Sequence, residues 1–307
     1  MIERDEKVID FVEEHIIRTL IYYDIFNYPL TSEEIFRFLG TDHNDVQTVT
    51  QKLFHLADER RIYQFGEFFS IQNNESLVAR RIKGNTEAKR LLTLAQKQAL
   101  FIAKFPFVRA VMGSGSLSKN YMDEDSDLDF FIVTEPGRLW IARMLLVMYK
   151  RIFLSNSHKY FCINYFVDTQ HLEIEEKNLF TATELATVIP LYGSEYYKHL
   201  CNSNPWLFEI FPNYKPRPVA HVPPSHISRR KKFVEGFINL MFARQMNAFF
   251  MKMFSNRLKR VYQKNYSATD FQVAFKAKNY ASKNHPRHYQ RKVMDLFEEK
   301  LREVNER

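Results

Sequence analysis

Cysteine is nearly absent: the 307-residue chain has two, Cys162 and Cys201. Two such thiols build neither a disulfide scaffold nor a zinc site, and a reducing cytoplasm is the expected compartment. Glycine and proline are scarce, at 8 and 11 residues. No segment is low in complexity, which argues against wholesale disorder. Long apolar runs are missing as well. Arg143 and Lys150 interrupt one hydrophobic stretch, and Arg244 and Lys252 interrupt another, so neither is expected to span a membrane. The N-terminal MIERDEKVIDFVEEH is acidic and lacks a signal-peptide core. What the chain does have is 45% hydrophobic residues, enough to fill the cores of two or three domains.

Positive charge is present but confined to one end. The formal net charge is +8. Residues 228–307 hold 19 Lys and Arg against 7 Asp and Glu, a net +12 that leaves −4 for the rest of the chain. A localised cationic surface is the footprint expected for a polyanion, with a solvated helical face as the alternative. A nucleic-acid partner held by this basic C-terminal region is therefore one open expectation.

Three regions follow from periodicity. In residues 1–73, EEHIIRTLIYYDIF and DVQTVTQKLFHLADER have helical apolar spacing, and Thr31 and Glu34 are placed as a capping box between them. RIYQFGEFFSIQ then reads as two short strands around Gly66. In residues 74–215, a long helix with a break at Gly84 leads to the strand FVRAVM, the helix GRLWIARMLLVMYKRIFL and the strand KYFCINYFV. TATELATVIPLYG follows as a helix, its Thr181 and Glu184 in capping-box spacing. In residues 216–307, a Pro-rich linker precedes a basic helix over RRKKFVEGFINLMFARQMNAFFMKMFSNRLKRVYQ and a second helix near HYQRKVMDLFEEKLREV. In the first, Phe233, Phe237, Met241, Phe249, Met253 and Leu258 fall at helical spacing and are expected in a core, with membrane-surface binding as a minor option. Strands alternating with helices argue for an α/β or α+β layer; the expectation taken forward is α+β, a mixed-sheet core flanked by an N-terminal domain of three helices and a hairpin and by a C-terminal helical region.

The densest chemistry lies in GSGSLSKNYMDEDSDLDFFIVT, residues 113–134. In the strand DLDFFIV, side chains alternate between faces. Asp127 and Asp129 share one face with Phe131, while Leu128, Phe130 and Ile132 point to the other. Two neighbouring carboxylates at the start of a buried strand repel each other, so one keeps a proton or a cation sits between them. Magnesium suits paired hard oxygens and leaves positions for phosphate oxygens and water. The Gly-Ser pairs just before them allow a sharp turn whose N–H groups and hydroxyls can hold phosphate. A phosphate cradle beside a magnesium pair supplies what nucleotidyl transfer needs. Asp123, Glu124 and Asp125 lie in the intervening loop and read as solvated. His158 and His171 have no ligand-like spacing.

The stretch GSLSKNYMDEDSDLD, residues 115–129, resembles the signature of the DNA polymerase beta-like nucleotidyltransferase superfamily. The resemblance implies that Gly115 and Ser116 grip the triphosphate of a nucleoside triphosphate, with Gly113 and Ser114 in support. It implies that Asp127 and Asp129 hold magnesium or manganese. Asn120 stands where many small members have Gly, and Ser126 fills the small position before the first Asp. The family's third carboxylate, often its general base, belongs on a later strand. In KYFCINYFVD the central polar residue is Asn164 instead. Asp168 at the strand's end or Glu173 beyond it then completes the catalytic set, or activity is slow or lost. Residues 12–72 resemble a winged helix-turn-helix domain, whose third helix often enters a DNA major groove. Gln47, Gln51 and Lys52 on that helix lie among Asp42, Asp45 and Asp58, so a protein contact is at least as well supported. Two functions stand open. One is a magnesium-dependent nucleotidyltransferase acting on an unidentified acceptor. The other is a non-catalytic nucleotide-sensing or DNA-binding regulator on a degenerate transferase fold.

Overall fold

The computed structural model of the chain describes residues 10–42, 45–157, 159–284 and 289–306. His158, read above as no metal ligand, lies outside the described residues. The fold is α+β, with a mixed six-stranded sheet and a small antiparallel one. The chain divides into two compact units. The first comprises residues 1–83, 206–215 and 293–307, and the second residues 84–205 and 216–292. The segments expected as a single third region thus distribute over both.

The first unit opens with α1 (Phe11–Asp24), N-capped by Asp10. β1 (Leu30–Thr31), α2 (Ser32–Arg37), α3 (Val46–Asp58), β2 (Tyr63–Phe65) and β3 (Phe68–Ser70) follow. Both halves of the Thr31–Glu34 capping box form: Glu34 N donates to Thr31 Oγ1 at 3.3 Å and Thr31 N to Glu34 Oε2 at 3.0 Å. Gly66 makes the β2–β3 turn at φ +61°. The sheet order is β1-β3-β2, all antiparallel. β1 escaped the sequence reading because two residues carry no alternation. Ile16 and Leu20 of α1 and Val49, Leu53 and Leu56 of α3 are buried at the spacing that predicted these helices. The buried Arg81 guanidinium pairs with Glu34 at 2.7 Å and lies over the Tyr28 and Phe68 rings.

α4 (Ser76–Ile102) does not break at Gly84. A Cβ there would come within 2.2 Å of the Tyr121 ring, so the glycine admits a neighbour rather than ending a helix. The second unit continues with β4 (Val108–Ser114), α5 (Gly115–Ser118), β5 (Asp129–Thr134), α6 (Leu139–Phe153), β6 (Cys162–Asp168), α7 (Leu179–Thr187), β7 (Ile189–Tyr192) and α8 (Ser194–Asn202). α9 (Trp206–Ile210) belongs to the first unit. α10 (Arg229–Leu240), α11 (Ala243–Tyr262), α12 (Ala268–Ala274), β8 (Phe275–Ala277), β9 (Ala281–Asn284) and α13 (Tyr289–Asn305) complete the chain. The sheet order is β7-β4-β5-β6-β9-β8. Only β5 and β6 run parallel, joined through α6 as a parallel pair requires. Val111, Phe130, Ile132 and Phe166 from the sheet pack with Leu139, Trp140 and Leu146 of α6.

Three sequence expectations fail here for tertiary reasons. α7 is capped by Asn178, whose side chain accepts from Thr181 N at 2.9 Å, so Thr181 and Glu184 form no box, and Ile189–Tyr192 is strand. The long basic helix is two helices, parted at Met241 and Phe242, with Phe242 in the left-handed region at φ +55°. Buried polar bonds fix each piece separately. Asn247 of α11 accepts from Trp140 N at 2.9 Å, and Lys231 of α10 donates to Ala103 O and Val108 O at 2.8 and 2.6 Å. Finally, the Phe and Met stripe is not core. Leu258 is buried, but Phe233, Phe237, Met241, Phe249 and Met253 are exposed. No described helix is long and apolar enough to cross a membrane.

Candidate functional site

β4 and β5 bring the two halves of the 113–134 motif together. Ser114 lies opposite Asp129 and Gly113 opposite Phe130. Ser114, Gly115, Asp127, Asp129 and Phe131 line one cavity of about 1180 Å³. Leu128, Phe130 and Ile132 are buried in the core. β5 begins at Asp129, so Asp127 reaches the cavity from the segment before the strand and not along a strand face; from Asp129 on, alternation turns Asp129 and Phe131 to the cavity and Phe130 and Ile132 to the core.

Gly115 is required twice over. Its φ is +62°, a left-handed conformation that side chains disfavour, and a Cβ would sit 2.3 Å from Asp129 Oδ2. The bare backbone of the turn is thereby held against the carboxylate. Ser114 lines the cavity and its hydroxyl makes no cap bond to α5. Ser116, given the main phosphate role by the family resemblance, is not among the lining residues. Its carbonyl instead accepts from Tyr121 N at 3.1 Å and closes the following turn. Asn120 holds that turn at φ +57°, the left-handed conformation that Asn tolerates.

Burial pushes the Asp129 carboxyl up to about 6; a hydrogen bond with Cys162 opposes this, and the charges of Glu184 and Asp127 add to it. Lys119 partly compensates, donating to Glu184 Oε1 at 2.6 Å and to Gly115 O at 3.2 Å. Asn164 is the extra residue where the β5–β6 register shifts, and its Nδ2 donates to Asp129 Oδ1 at 3.1 Å. An amide thus stands beside Asp129 at the position where a third carboxylate was sought. Asp168 is not there. It pairs with Thr134 at the far end of β5, whereas Asp129 pairs with Cys162. Six steps along the strand separate Cys162 from Asp168, roughly 20 Å. The Asp168 carboxylate instead accepts from Gln170 N at 3.0 Å and contacts His171 Nδ1 at 2.7 Å, fixing the turn after β6. Glu173 pairs with Lys177 at 2.9 Å on the surface. Two further carboxylates line the cavity: Glu184, whose charge acts on Asp129, and Glu176, which is paired with Lys276 and Lys283. The sequence reading assigned Glu184 to a cap. Asn178, three residues before Thr181, was the signal that a better cap stood upstream.

The cavity also has a cationic wall. Arg143 and Lys150 project from one face of α6 at a seven-residue spacing, and Arg257 joins them from α11. Burial pushes the Arg143 guanidinium down to about 9. It lies between the Phe166 and Phe254 rings, 4.9 and 4.4 Å from their centroids. Among the described residues its Nε has no hydrogen-bond partner, and NH1 reaches the Ile163 carbonyl at 3.4 Å. Burial also lowers Lys150. In the sequence these two charges interrupt an apolar run and carry no other signature. That interruption, a charge on the apolar face of an amphipathic helix, is itself the signal.

The intervening loop is structural. Asp123 accepts from Ser126 Oγ at 2.6 Å and from Asp125 N at 3.2 Å, while Glu124 and Asp125 are exposed. Among the described residues, no group of three His, Cys, Asp or Glu could hold a metal ion. Two carboxylates on one wall, one of them raised chiefly by burial, still fit a magnesium ion that completes its shell with water and phosphate oxygens, or manganese on the same donors. Comparison with family models, with curated proteins and with solved structures gives no match to this chain.

Proposed function

We propose that the second unit is a polymerase beta-like nucleotidyltransferase, which binds a nucleoside triphosphate with magnesium or manganese and transfers the nucleoside monophosphate to an acceptor hydroxyl. One observation carries this reading: a left-handed Gly115 backbone pressed on the Asp129 carboxylate, with Asp127 on the same cavity wall. In the reaction the acceptor oxygen bonds to the α-phosphorus and the α–β bridging P–O bond breaks. Pyrophosphate leaves with that electron pair, and the hydroxyl proton passes to a base or to water. A divalent cation at the Asp pair would supply neutralisation of phosphate charge. The chain's own residues do the rest. The Ser114–Gly115 turn lines the cavity and offers its polar groups to phosphate oxygens, Arg143 and Lys150 attract the anionic tail, and the aromatic and Met side chains of α11 exclude water. Arg257 on the same cavity supports a share for the basic C-terminal region in holding nucleotide or acceptor.

A second reading, a nucleotide sensor without turnover, is favoured by Asn164 in the place of a third carboxylate. For the first unit, the order helix, strand, two helices, two strands supports the winged-helix reading. Lys52 there pairs with Asp10, and Asp45 caps α3, which favours a protein contact over DNA.

The test is incubation of the full chain with each α-labelled triphosphate, magnesium and bulk RNA, beside equilibrium triphosphate binding. Transfer that is lost in Asp127→Asn supports the enzyme. Magnesium-dependent binding without transfer supports the sensor, and no binding removes both. Arg143→Met should weaken triphosphate binding about tenfold or more, the loss of a charge-assisted contact. Unchanged affinity would refute the cationic wall.

A further inference from the structure

α10 is inside out. Lys231 and Glu235, one turn apart, face inward: Lys231 bonds the Ala103 and Val108 carbonyls, and Glu235 takes Arg109 and the Phe107 N–H. The opposite face carries Phe233, Phe237 and Leu240, at 77%, 56% and 82% exposure. These residues stand at i, i+4 and i+7, on one side of the helix. Met241 and Phe242 extend the apolar surface around the tip between α10 and α11, with Phe242 73% exposed. Phe242 also holds a left-handed backbone that an ordinary side chain disfavours. Exposed aromatic and aliphatic surface of this extent, at a strained tip, marks a surface that something covers.

Charge identifies what. Residues 228–267 hold ten Lys and Arg and a single carboxylate, Glu235, which is buried on Arg109. Arg229 and Arg230 fall on the Phe233 face, four and three residues before it, and Arg244 follows the tip, all exposed. A second copy of this face would set like charge against like charge. Nucleic acid would leave Leu240 and Met241 without a role, since neither offers a ring for a base to stack on. Apolar side chains flanked by arginines on one helix face suit an interface that is hydrocarbon within and anionic at its surface. We infer that the α10–α11 tip docks on an anionic phospholipid surface, lying in the headgroup plane with Phe233, Phe237, Leu240 and Phe242 inserted. This goes beyond nucleotidyl transfer and does not depend on it.

Sedimentation of the full chain with vesicles of phosphatidylcholine, alone or mixed with phosphatidylglycerol, tests the inference. The chain should bind the anionic vesicles, with partitioning onto neutral ones at least about fivefold lower, and Arg229→Gln and Arg230→Gln should each cost about fivefold. The triple variant Phe233→Ser, Leu240→Ser, Phe242→Asn should lose about tenfold or more with its thermal midpoint intact, because these side chains are exposed. Equal binding by the triple variant, or no binding to anionic vesicles, overturns the inference. So does a wild-type dimer that the triple variant dissolves, or RNA binding that the triple variant abolishes. The first of these would make a second copy the occupant, and the second would make it nucleic acid.

Discussion

Removing the Asp129 carboxylate should make the metal-free protein more stable. The group is raised from its ordinary 3.8 to about 6, chiefly by burial. That is a difference of about 2 units, or about 3 kcal/mol between the two ionisation states. The sign follows from proton counts. Between pH 3.8 and 6 the folded chain keeps a proton that the unfolded chain has released. Stability therefore falls as pH rises through that window, and the full cost is present above it. Asp129→Asn carries no charge and escapes the cost. It forfeits the hydrogen bond with Cys162, about 1 kcal/mol, so the net gain at pH 7.5 is about 2 kcal/mol. Near pH 4 the gain should vanish or reverse. Trp140 lies in the second unit and Trp206 in the first. Urea unfolding in EDTA, followed by Trp140 fluorescence in a Trp206→Phe background, therefore reads the relevant unit alone. Magnesium should then stabilise the wild type and leave the variant unmoved. A variant less stable at pH 7.5, or a difference that does not change between pH 4 and 7.5, would refute the reasoning. Either result would mean that Lys119 already neutralises the site and that no cation is called for.

Gly115→Ala should cost more than about 2 kcal/mol in the same unfolding assay, combining left-handed strain with the collision against Asp129 Oδ2. A near-neutral result would show that the turn relaxes freely. Asn164→Asp should bring a third carboxylate beside Asp129, lowering stability in EDTA and tightening magnesium binding about tenfold or more. Unchanged magnesium affinity, by calorimetry, would mean that position 164 does not face the ion.

Legibility followed the range of each interaction. α1, α3 and α6 declare themselves by apolar spacing, and Thr31 with Glu34 marks a helix start, because all of these are local. The cavity side of β5, Asp129 with Phe131, is readable because strand alternation is local too, whereas Asp127 lies ahead of the strand. What failed depends on distant partners. Nothing near Phe242 in the sequence breaks a helix; the break follows from Asn247 bonding Trp140 on another helix. Asp168 looked adjacent to the site because it is close in sequence to Asn164. A strand, however, carries its residues away at about 3.3 Å each. Glu184 looked like a cap because its spacing matched, and only Asn178 at the true helix start released it to the cavity.

Periodicity also has a blind side, and α10 exposes it. An apolar stripe at helical spacing says that one face differs from the other; it does not say which face turns inward. On α10 two charged residues supply the inward bonds, and a buried charge is tolerated only with partners. Lys231 has two carbonyls and Glu235 has Arg109 and a backbone N–H, so the polar face can turn inward and the apolar face is left outside. The same logic applies at Asp129, a carboxylate raised toward neutrality by burial and by like charge, with one amide and one thiol in contact. In both places the chain keeps an arrangement that a more stable sequence would discard. Sites that break local rules without a structural gain are where function is expected. The cation at Asp129 and the lipid surface at α10 are each the missing partner that would make the arrangement favourable. Testing each variant with and without that partner therefore separates function from misreading: a true site is costly alone and favourable when filled.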